Sequence, residues 1–260
     1  MVGIDVDVEH LPVSSKCLRD GLDDGGISAL GDIRHRFEQG HGRTLRCTAM
    51  RSNTTEARPE PPKSYSSIVS LHRGLAACRR CADAGFPIES RPVVHGASGR
   101  RAYLYGQAPG IVEGAVGAPW QGRAGQTLRR WLELDEQAFD ATFYCASVTR
   151  CYPGRNSGRG DRTPSPAERR LCTSWRSEEL QLLRPSLIVT VGGLAAQAIV
   201  GAKTLTGCVG KSYLVDEAIV IPLPHPSGAS AWLNDAANRN RLGKALTHAR
   251  REIGRLHAAC

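Results

Sequence analysis

The segment SLIVTVGG, residues 186–193, constrains the fold of this chain more than any other part of the sequence. Aliphatic and β-branched residues fill it and two glycines end it, which is typical of a short strand buried on both faces of a parallel sheet. A second such run, AIVIPLPHPSG, covers residues 218–228. Because parallel strands are joined by crossovers that usually contain a helix, the two runs favour an α/β fold.

Helical periodicity between the strand-like runs supports this prediction. Two more runs typical of strands begin at Ala102 and Phe143. Strands that alternate with helices predict a three-layer α/β/α sandwich with a central, largely parallel four-stranded sheet. In such sheets ligands bind at the carboxyl ends of the strands. Apolar residues recur at helical spacing in residues 67–81, 125–134, 167–183, 194–201 and 238–256.

The first 62 residues have a different character from the rest of the 260-residue chain. They mix Gly, Asp, Arg, Ser, Thr and Pro without sustained periodicity, which predicts a disordered arm ahead of one folded domain at residues 63–260. Met50 is the only methionine besides Met1. We therefore hold as a hypothesis that Met50 is the true start, and native peptides from residues 1–49 would refute it.

The formal net charge of +9 is compatible with a polyanionic partner, since guanidinium groups bind phosphates through charge and bidentate geometry. Net charge also serves solubility, so it does not identify nucleic acid by itself. The sequence has no run of 18 apolar residues and no signal-peptide pattern at residues 1–15. We expect a monomeric, cytoplasmic, nucleoid-associated protein with no membrane partner. Candidates for phosphate contacts, against the alternative of a solvated basic face, are the arginines of residues 155–162 and Arg239, Arg241, Arg250 and Arg251.

Four of the nine cysteines have a spacing that indicates a metal site. In a reducing compartment, cysteines are more often metal ligands or buried residues than disulfides. Cys78 and Cys81 form a C-x-x-C pair, and Cys151 and Cys172 can complete a four-cysteine shell for a 4Fe–4S cluster or zinc. The wide gap between Cys151 and Cys172 favours the cluster over zinc. The alternative to any metal site is that these are incidental surface cysteines. We treat Cys17, Cys47, Cys145, Cys208 and Cys260 as non-ligands.

Two loops that follow predicted strands carry further signals. The first is GQAPG at residues 106–110, where glycines allow a close approach of backbone to a ligand; Glu113 and Trp120 follow it. The second is HPSG at residues 225–228, where a rigid proline follows a histidine that can face a pocket. Taken alone, the first loop is a simple turn in most proteins, and a single loop histidine is more often structural.

The three signals, in this order along residues 70–255, resemble those of the iron–sulfur uracil-DNA glycosylases called families 4 and 5. The resemblance implies a DNA-repair glycosylase that flips a nucleotide out of DNA and hydrolyses its N-glycosidic bond. Its partner would be DNA that contains uracil or another deaminated base. Its cofactor would be a 4Fe–4S cluster on Cys78, Cys81, Cys151 and Cys172.

The resemblance also implies roles for individual residues. His225, Gln107 and Glu113 would be catalytic, with His225 donating to the O2 side of the base and Glu113 orienting water. Trp120 matches the aromatic residue that stacks on uracil. Base-binding residues would be Gly106, Ala108, Pro109, Gly110, Trp120 and Ser147, and DNA-contacting residues Pro226, Ser227, Gly228 and Arg123.

Two positions depart from the family 4 pattern. Gln107 stands where family 4 has an acidic residue, and Ser147 stands where it has a pyrimidine-reading asparagine. An amide cannot act as a general base, so water activation would come from Glu113, indirectly from His225, or from electrostatics alone. The sequence favours a divergent member with broader substrates and leaves both branches open. It also leaves open a catalytically silent member that binds damaged DNA, and a four-cysteine iron–sulfur redox protein.

Overall fold

A computed structural model of the chain describes residues 8–10, 64–157, 160–227 and 231–259. Within these residues a six-stranded sheet has the spatial order β1-β5-β6-β4-β2-β3. Every neighbouring pair of this sheet is parallel except β5 and β6, which are antiparallel. The strands are β1 (Val8–His10), β2 (Ala102–Gly106), β3 (Phe143–Ser147), β4 (Leu187–Val191), β5 (Ser212–Val215) and β6 (Ala218–Leu223).

Helices flank the sheet, so the predicted α/β fold with a largely parallel sheet is confirmed. A short 3-10 helix, Ala231–Asn234, precedes the closing helix. The helices are α1 (Ile68–Ala76), α2 (Arg80–Asp83), α3 (Ile111–Val116), α4 (Arg123–Leu132), α5 (Glu136–Thr142), α6 (Pro166–Leu183), α7 (Gly193–Val200), α8 (Leu205–Cys208) and α9 (Ala236–Ala258).

The path of the chain through the sheet places helices on both faces. From β2 the chain crosses to β3 on one side, and it then returns to β4 on the other side of β2. Right-handed crossovers put the helices of these two connections on opposite faces. The packing agrees: Arg250 of α9 donates to the carbonyl of Trp131 in α4, and Arg176 of α6 donates to the carbonyl of Ala198 in α7. The strand order therefore reverses between β2 and β4, where ligands bind in such sheets.

The sheet has two strands more than the four predicted. Ser212–Val215 pairs antiparallel with β6, and Val8–His10 adds a parallel edge strand. Runs of three or four residues are too short to show a strand period, so sequence patterning misses them. The predicted helix at residues 67–81 is also interrupted, because α1 ends at Ala76 and α2 begins at Arg80. Cys78 consequently lies in the turn between two helices.

The predicted disordered arm, residues 1–62, lies outside the described residues except for β1, and so does the alternative start at Met50. The domain boundary at residue 63 stays a prediction. Across the described ranges, no helix combines the length and the apolar character needed to cross a membrane.

Candidate active site

A cavity of about 800 Å³ opens at the carboxyl ends of β2 and β3. Residues 106–110, which follow β2, line one side of it, and His225 and Ser227, which follow β6, line another. Residues 160–163, in a polar insertion between Cys151 and Cys172, complete the rim of the cavity. The two loops that carried signals in the sequence therefore share one cavity. Other predicted site residues that line it are Glu113, Trp120, Arg123 and Ser147.

His225 is held in one tautomer by the residue two positions later. The backbone N–H of Ser227 donates to Nδ1 of His225 at 3.2 Å, and the Ser227 Oγ lies 2.9 Å from the same nitrogen. Because a backbone N–H can only donate, Nδ1 is the acceptor, and the proton of the neutral ring is on Nε2. Burial lowers the pKa of His225, while the carboxylates of Glu113 and Asp161 oppose that shift. The cavity therefore contains a neutral imidazole whose N–H is at Nε2.

Trp120 supplies a flat aromatic surface beside this imidazole. The ring centroids of Trp120 and His225 are 6.2 Å apart, with an interplanar angle of 33°. The backbone of Trp120 is left-handed, with φ of 58°, and its carbonyl accepts a hydrogen bond from Arg129 at 3.1 Å. A Cβ at Gly125 would overlap that carbonyl oxygen, so only glycine at position 125 allows this loop conformation. No pattern in the sequence indicates this role of Gly125.

Replacing Gly125 by alanine is therefore expected to destabilise the protein by about 2 kcal/mol, because the new methyl group forces the backbone of Trp120 to move. Urea denaturation measures the free energy of unfolding, and tryptophan fluorescence reports the environment of the ring. Gly243→Ala is the matched control, since Gly243 also lies in a helix and a Cβ there meets nothing within 4 Å. That variant is expected to be unchanged or slightly more stable. Equal stability of both variants would contradict the role of Gly125.

Glu113 and Gln107 line the cavity but differ in how their groups are bound. Oε1 of Glu113 accepts the backbone N–H of Gly122 at 2.9 Å, which ties α3 to the start of α4. The main-chain carbonyl of Gln107 accepts a hydrogen bond from the main-chain N–H of Thr149 at 3.2 Å. One carboxylate oxygen of Glu113 is thus used by the protein fold.

Ser147 lies at the end of β3 and lines the cavity. Its hydroxyl donates to the carbonyl of Thr149 at 2.7 Å. The hydroxyl proton is therefore already bound, and Ser147 can offer a ligand only its oxygen lone pairs. A side chain this short also leaves space where the family pattern has asparagine.

The residues predicted to contact DNA differ in their exposure and in whether they line the cavity. Arg123 is exposed at the start of α4 and lines the cavity, as does Ser227. Pro226 is buried, and its contact with DNA stays a prediction. Gly228 lies outside the described residues.

The arginines proposed for phosphate contacts are mostly engaged within the chain. Arg250 forms an ion pair with Glu133 at 2.7 Å, and Arg251 contacts Glu252 at 3.2 Å. Arg239 donates to the carbonyls of residues 233 and 234, just before α9. Arg239 and Arg251 are nevertheless exposed, and their contact with phosphate stays a prediction. Arg241 is exposed.

A buried polar cluster under the cavity was not predicted. Arg150 lines the cavity and is paired with Glu179 of α6, and both side chains are almost fully buried. The hydroxyls of Tyr103 and Tyr144 donate to Glu179 at 2.6 and 3.1 Å. His72 extends the cluster through a 2.8 Å contact with Tyr144. Because these residues come from four distant segments, no local sequence pattern could reveal the cluster.

The four cysteines predicted as ligands approach one another beside this cluster. Cys78 and Cys81 come from the α1–α2 turn and α2, Cys151 follows β3, and Cys172 lies in α6. A hydrogen bond to Cys81 lowers the pKa of Cys172 to about 7, and the same bond raises the pKa of Cys81. Burial is the main cause that raises the pKa of Cys151 to about 12, and the charges of Cys172 and Cys78 add to it.

Two arginines lie close to the cysteines. Arg150 and Arg80 both lower the pKa of Cys172 through their charge. Arg80 is fixed over the Trp175 ring, 4.9 Å from its centroid, and donates to Ser174 at 2.6 Å. Within the described residues, no three His, Cys, Asp or Glu side chains are grouped so as to hold a metal ion. Cys145 and Cys208, expected to be non-ligands, are buried.

Comparisons with known proteins agree with this geometry. The family model of the Uracil DNA glycosylase superfamily matches residues 94–249, which is more than half of the chain. The Type-4 uracil-DNA glycosylase of Archaeoglobus fulgidus is 29% identical over 173 residues, covering 62% of this chain and 82% of that protein. The Thermotoga maritima protein of the same name is 29% identical over 130 residues, which cover 49% of this chain and 65% of that protein. The Sulfurisphaera tokodaii protein, also of that name, is 25% identical over 172 residues, which cover 63% of this chain and 76% of that protein. The chain belongs to the uracil DNA glycosylase superfamily.

Proposed function

We propose that this protein is a DNA-repair glycosylase that hydrolyses the N-glycosidic bond of uracil or another deaminated base in DNA. The observation that carries the proposal is the convergence of residues 106–110, Trp120 and His225 on one cavity. The relatives that it resembles are named uracil-DNA glycosylases. A cavity of about 800 Å³ has room for a nucleotide that has been flipped out of the DNA stack.

In this proposal the flipped base lies against Trp120 and is read by the loop at residues 106–110. Stacking on an aromatic ring tolerates several bases, so the loop and Ser147 must supply the selectivity. Because Ser147 is small and its hydroxyl proton is used by Thr149, it reads a pyrimidine edge less strictly than an amide does. Hypoxanthine and xanthine are therefore included among the candidate substrates beside uracil.

The chemical step separates charge, and His225 is suited to stabilise the negative part. When the bond between C1′ and the base breaks, the electron pair leaves with the base, whose oxygen gains charge. A neutral Nε2–H donor that is already oriented stabilises that oxygen without reorganisation. The fixed tautomer and the lowered pKa of His225 support this role.

The proposal includes a 4Fe–4S cluster held by Cys78, Cys81, Cys151 and Cys172. Four thiols from three segments, with two arginine charges beside them, are a donor set that fits such a cluster. When bound, the cluster would supply a structural cross-link, since four thiolates leave no open iron position. Brown protein with a broad band near about 400 nm is expected, whereas zinc gives no colour.

A strand-cleavage assay tests the proposed activity. Single-stranded and duplex oligonucleotides that carry one uracil, hypoxanthine or xanthine are incubated with the full chain, and alkali then cleaves at abasic sites. We expect cleavage at uracil or at another deaminated base and none at the matched normal base. Binding to these oligonucleotides without cleavage would instead identify a silent damage-binding member. If neither cleavage nor binding occurs, a redox role of the four-cysteine site becomes the better candidate. Cytoplasmic location, nucleoid association and a monomeric state stay predictions.

A further inference from the structure

Asp161, in the polar insertion between Cys151 and Cys172, has a defined position on the rim of the cavity. Its Oδ1 accepts a hydrogen bond from the hydroxyl of Tyr152 at 3.0 Å. Its backbone forms an antiparallel bridge with Arg155. The side chain is exposed, which leaves it accessible to a substrate in the cavity.

The next residue anchors the insertion to the domain. Arg162 donates two hydrogen bonds to the buried carboxylate of Glu168, at 2.8 and 2.7 Å. It also donates to the carbonyl of Pro153 at 3.0 and 2.6 Å, and its backbone N–H donates to Gly154 at 2.8 Å. A bidentate arginine–carboxylate pair is among the stronger polar contacts in proteins. The position of Asp161 is therefore imposed by the fold.

The free oxygen of Asp161 faces the catalytic loop. A Cβ built on Gly110 would lie 3.0 Å from Oδ2 of Asp161 and 2.7 Å from Oε2 of Glu113. The two carboxylates thus meet beside the GQAPG loop, and both act electrostatically on the imidazole of His225. The cavity contains a second carboxylate that the sequence patterns did not single out.

The other candidates for accepting a proton from water are less suitable. Gln107 carries a neutral amide, which cannot act as a base. Glu113 also has one bonded oxygen and one oxygen beside Gly110, but its bonded oxygen accepts the main-chain N–H of Gly122 and so ties α3 to the start of α4. Glu113 is also half-buried, whereas Asp161 is exposed. Asp161 has one oxygen oriented by Tyr152 and the other free toward the cavity.

We propose that Asp161 is a catalytic residue of the hydrolysis, and that its carboxylate accepts the proton of the attacking water. This inference rests on the proposed glycosylase function. In the step, the water oxygen bonds to C1′ of the sugar as the bond between C1′ and the base nitrogen breaks. The electron pair of that bond leaves with the base, and one water proton moves to Oδ2 of Asp161. The negative charge of Asp161 also stabilises the positive charge that develops on the sugar as that bond breaks.

Single-turnover excision by the full chain tests this role on an oligonucleotide with one deaminated base. Asp161→Asn keeps the size of the side chain but removes its basicity, so we expect a rate lower by roughly 10²-fold. Asp161→Ala is expected to be equally slow and to regain part of its rate when formate is added, because formate can occupy the space and accept the proton. Asp216→Asn, at an exposed acid that does not line the cavity, is the matched control and should keep the wild-type rate.

Tyr152 is assigned as a positioning residue that acts through Asp161. We expect Tyr152→Phe to slow excision less than Asp161→Asn, and the double variant to be no slower than Asp161→Asn alone. A wild-type rate in Asp161→Asn, or a slow Asp161→Ala that formate does not restore, would overturn the assignment while the glycosylase function stands. Absence of excision by the wild-type protein on every deaminated base would overturn both.

Discussion

Replacing His225 by alanine is expected to slow base excision by roughly 10²-fold or more, because it removes a preorganised donor from the site where negative charge develops. The reason lies in the local geometry: Ser227 binds Nδ1, so the Nε2–H is directed to another partner. Single-turnover kinetics on a uracil-containing oligonucleotide measure the effect on chemistry separately from DNA binding. We expect affinity for the same DNA to change much less than the rate.

The protonation state of His225 gives this prediction a second test. Burial lowers its pKa from the ordinary value of 6.5, and the carboxylates of Glu113 and Asp161 only oppose that effect. The ring is therefore neutral above about pH 7, and the ratio of wild-type to His225→Ala rates should stay constant from about pH 7 to pH 9. A ratio that grows steadily as the pH falls through this range would mean that the charged imidazolium is the active donor.

A matched control for His225 is available elsewhere in the chain. His248 also has a lowered pKa caused first by burial, and its Nδ1 lies 3.0 Å from the hydroxyl of Ser212. It does not line the cavity. His248→Ala should therefore keep the wild-type excision rate. Near-wild-type turnover by His225→Ala would remove His225 from the mechanism.

Sequence patterning predicted the elements of the site whose position follows from the parallel sheet. Loops that follow β2 and β6 must meet at the carboxyl edge, because all parallel strands end there. That geometric rule brings His225 to the loop at residues 106–110 although more than 100 residues separate them. The burial of β2 and β4 on both faces likewise follows from their continuous apolar runs.

The features that the sequence did not reveal depend on contacts between distant residues or on short irregular segments. The insertion that carries Asp161 has no period, and its position is fixed by Arg162 and Glu168 rather than by secondary structure. The need for glycine at position 125 arises from the backbone of Trp120, which no composition rule predicts. Pro226 is buried after the last strand, which its position in a predicted loop did not indicate.

Replacing Cys172 by alanine is expected to remove most of the absorbance near about 400 nm and to destabilise the protein by on the order of 3 kcal/mol. Cys172 lies in α6, while its three partners come from the α1–α2 region and from the loop after β3. In the proposed cluster Cys172 would link α6 to the other two segments, and the substitution would remove that link. Absorbance spectra and iron content of the purified variant measure the loss of the cluster, and thermal unfolding measures the loss of stability.

Cys208→Ala separates loss of a ligand from loss of a buried thiol. Cys208 is 2% exposed and Cys172 is 7% exposed, so both substitutions remove a buried thiol. The thiol of Cys208 donates to the nearby carbonyl of Leu205 and is not among the four predicted ligands. The control should keep its colour and lose little stability. The cysteine site also borders the cavity through Arg150, which follows β3 and pairs with Glu179 of α6. A Cys172→Ala protein that keeps both iron and stability would contradict the cluster, whereas one that loses iron should also excise bases more slowly, because Arg150 and the cavity wall lose their support.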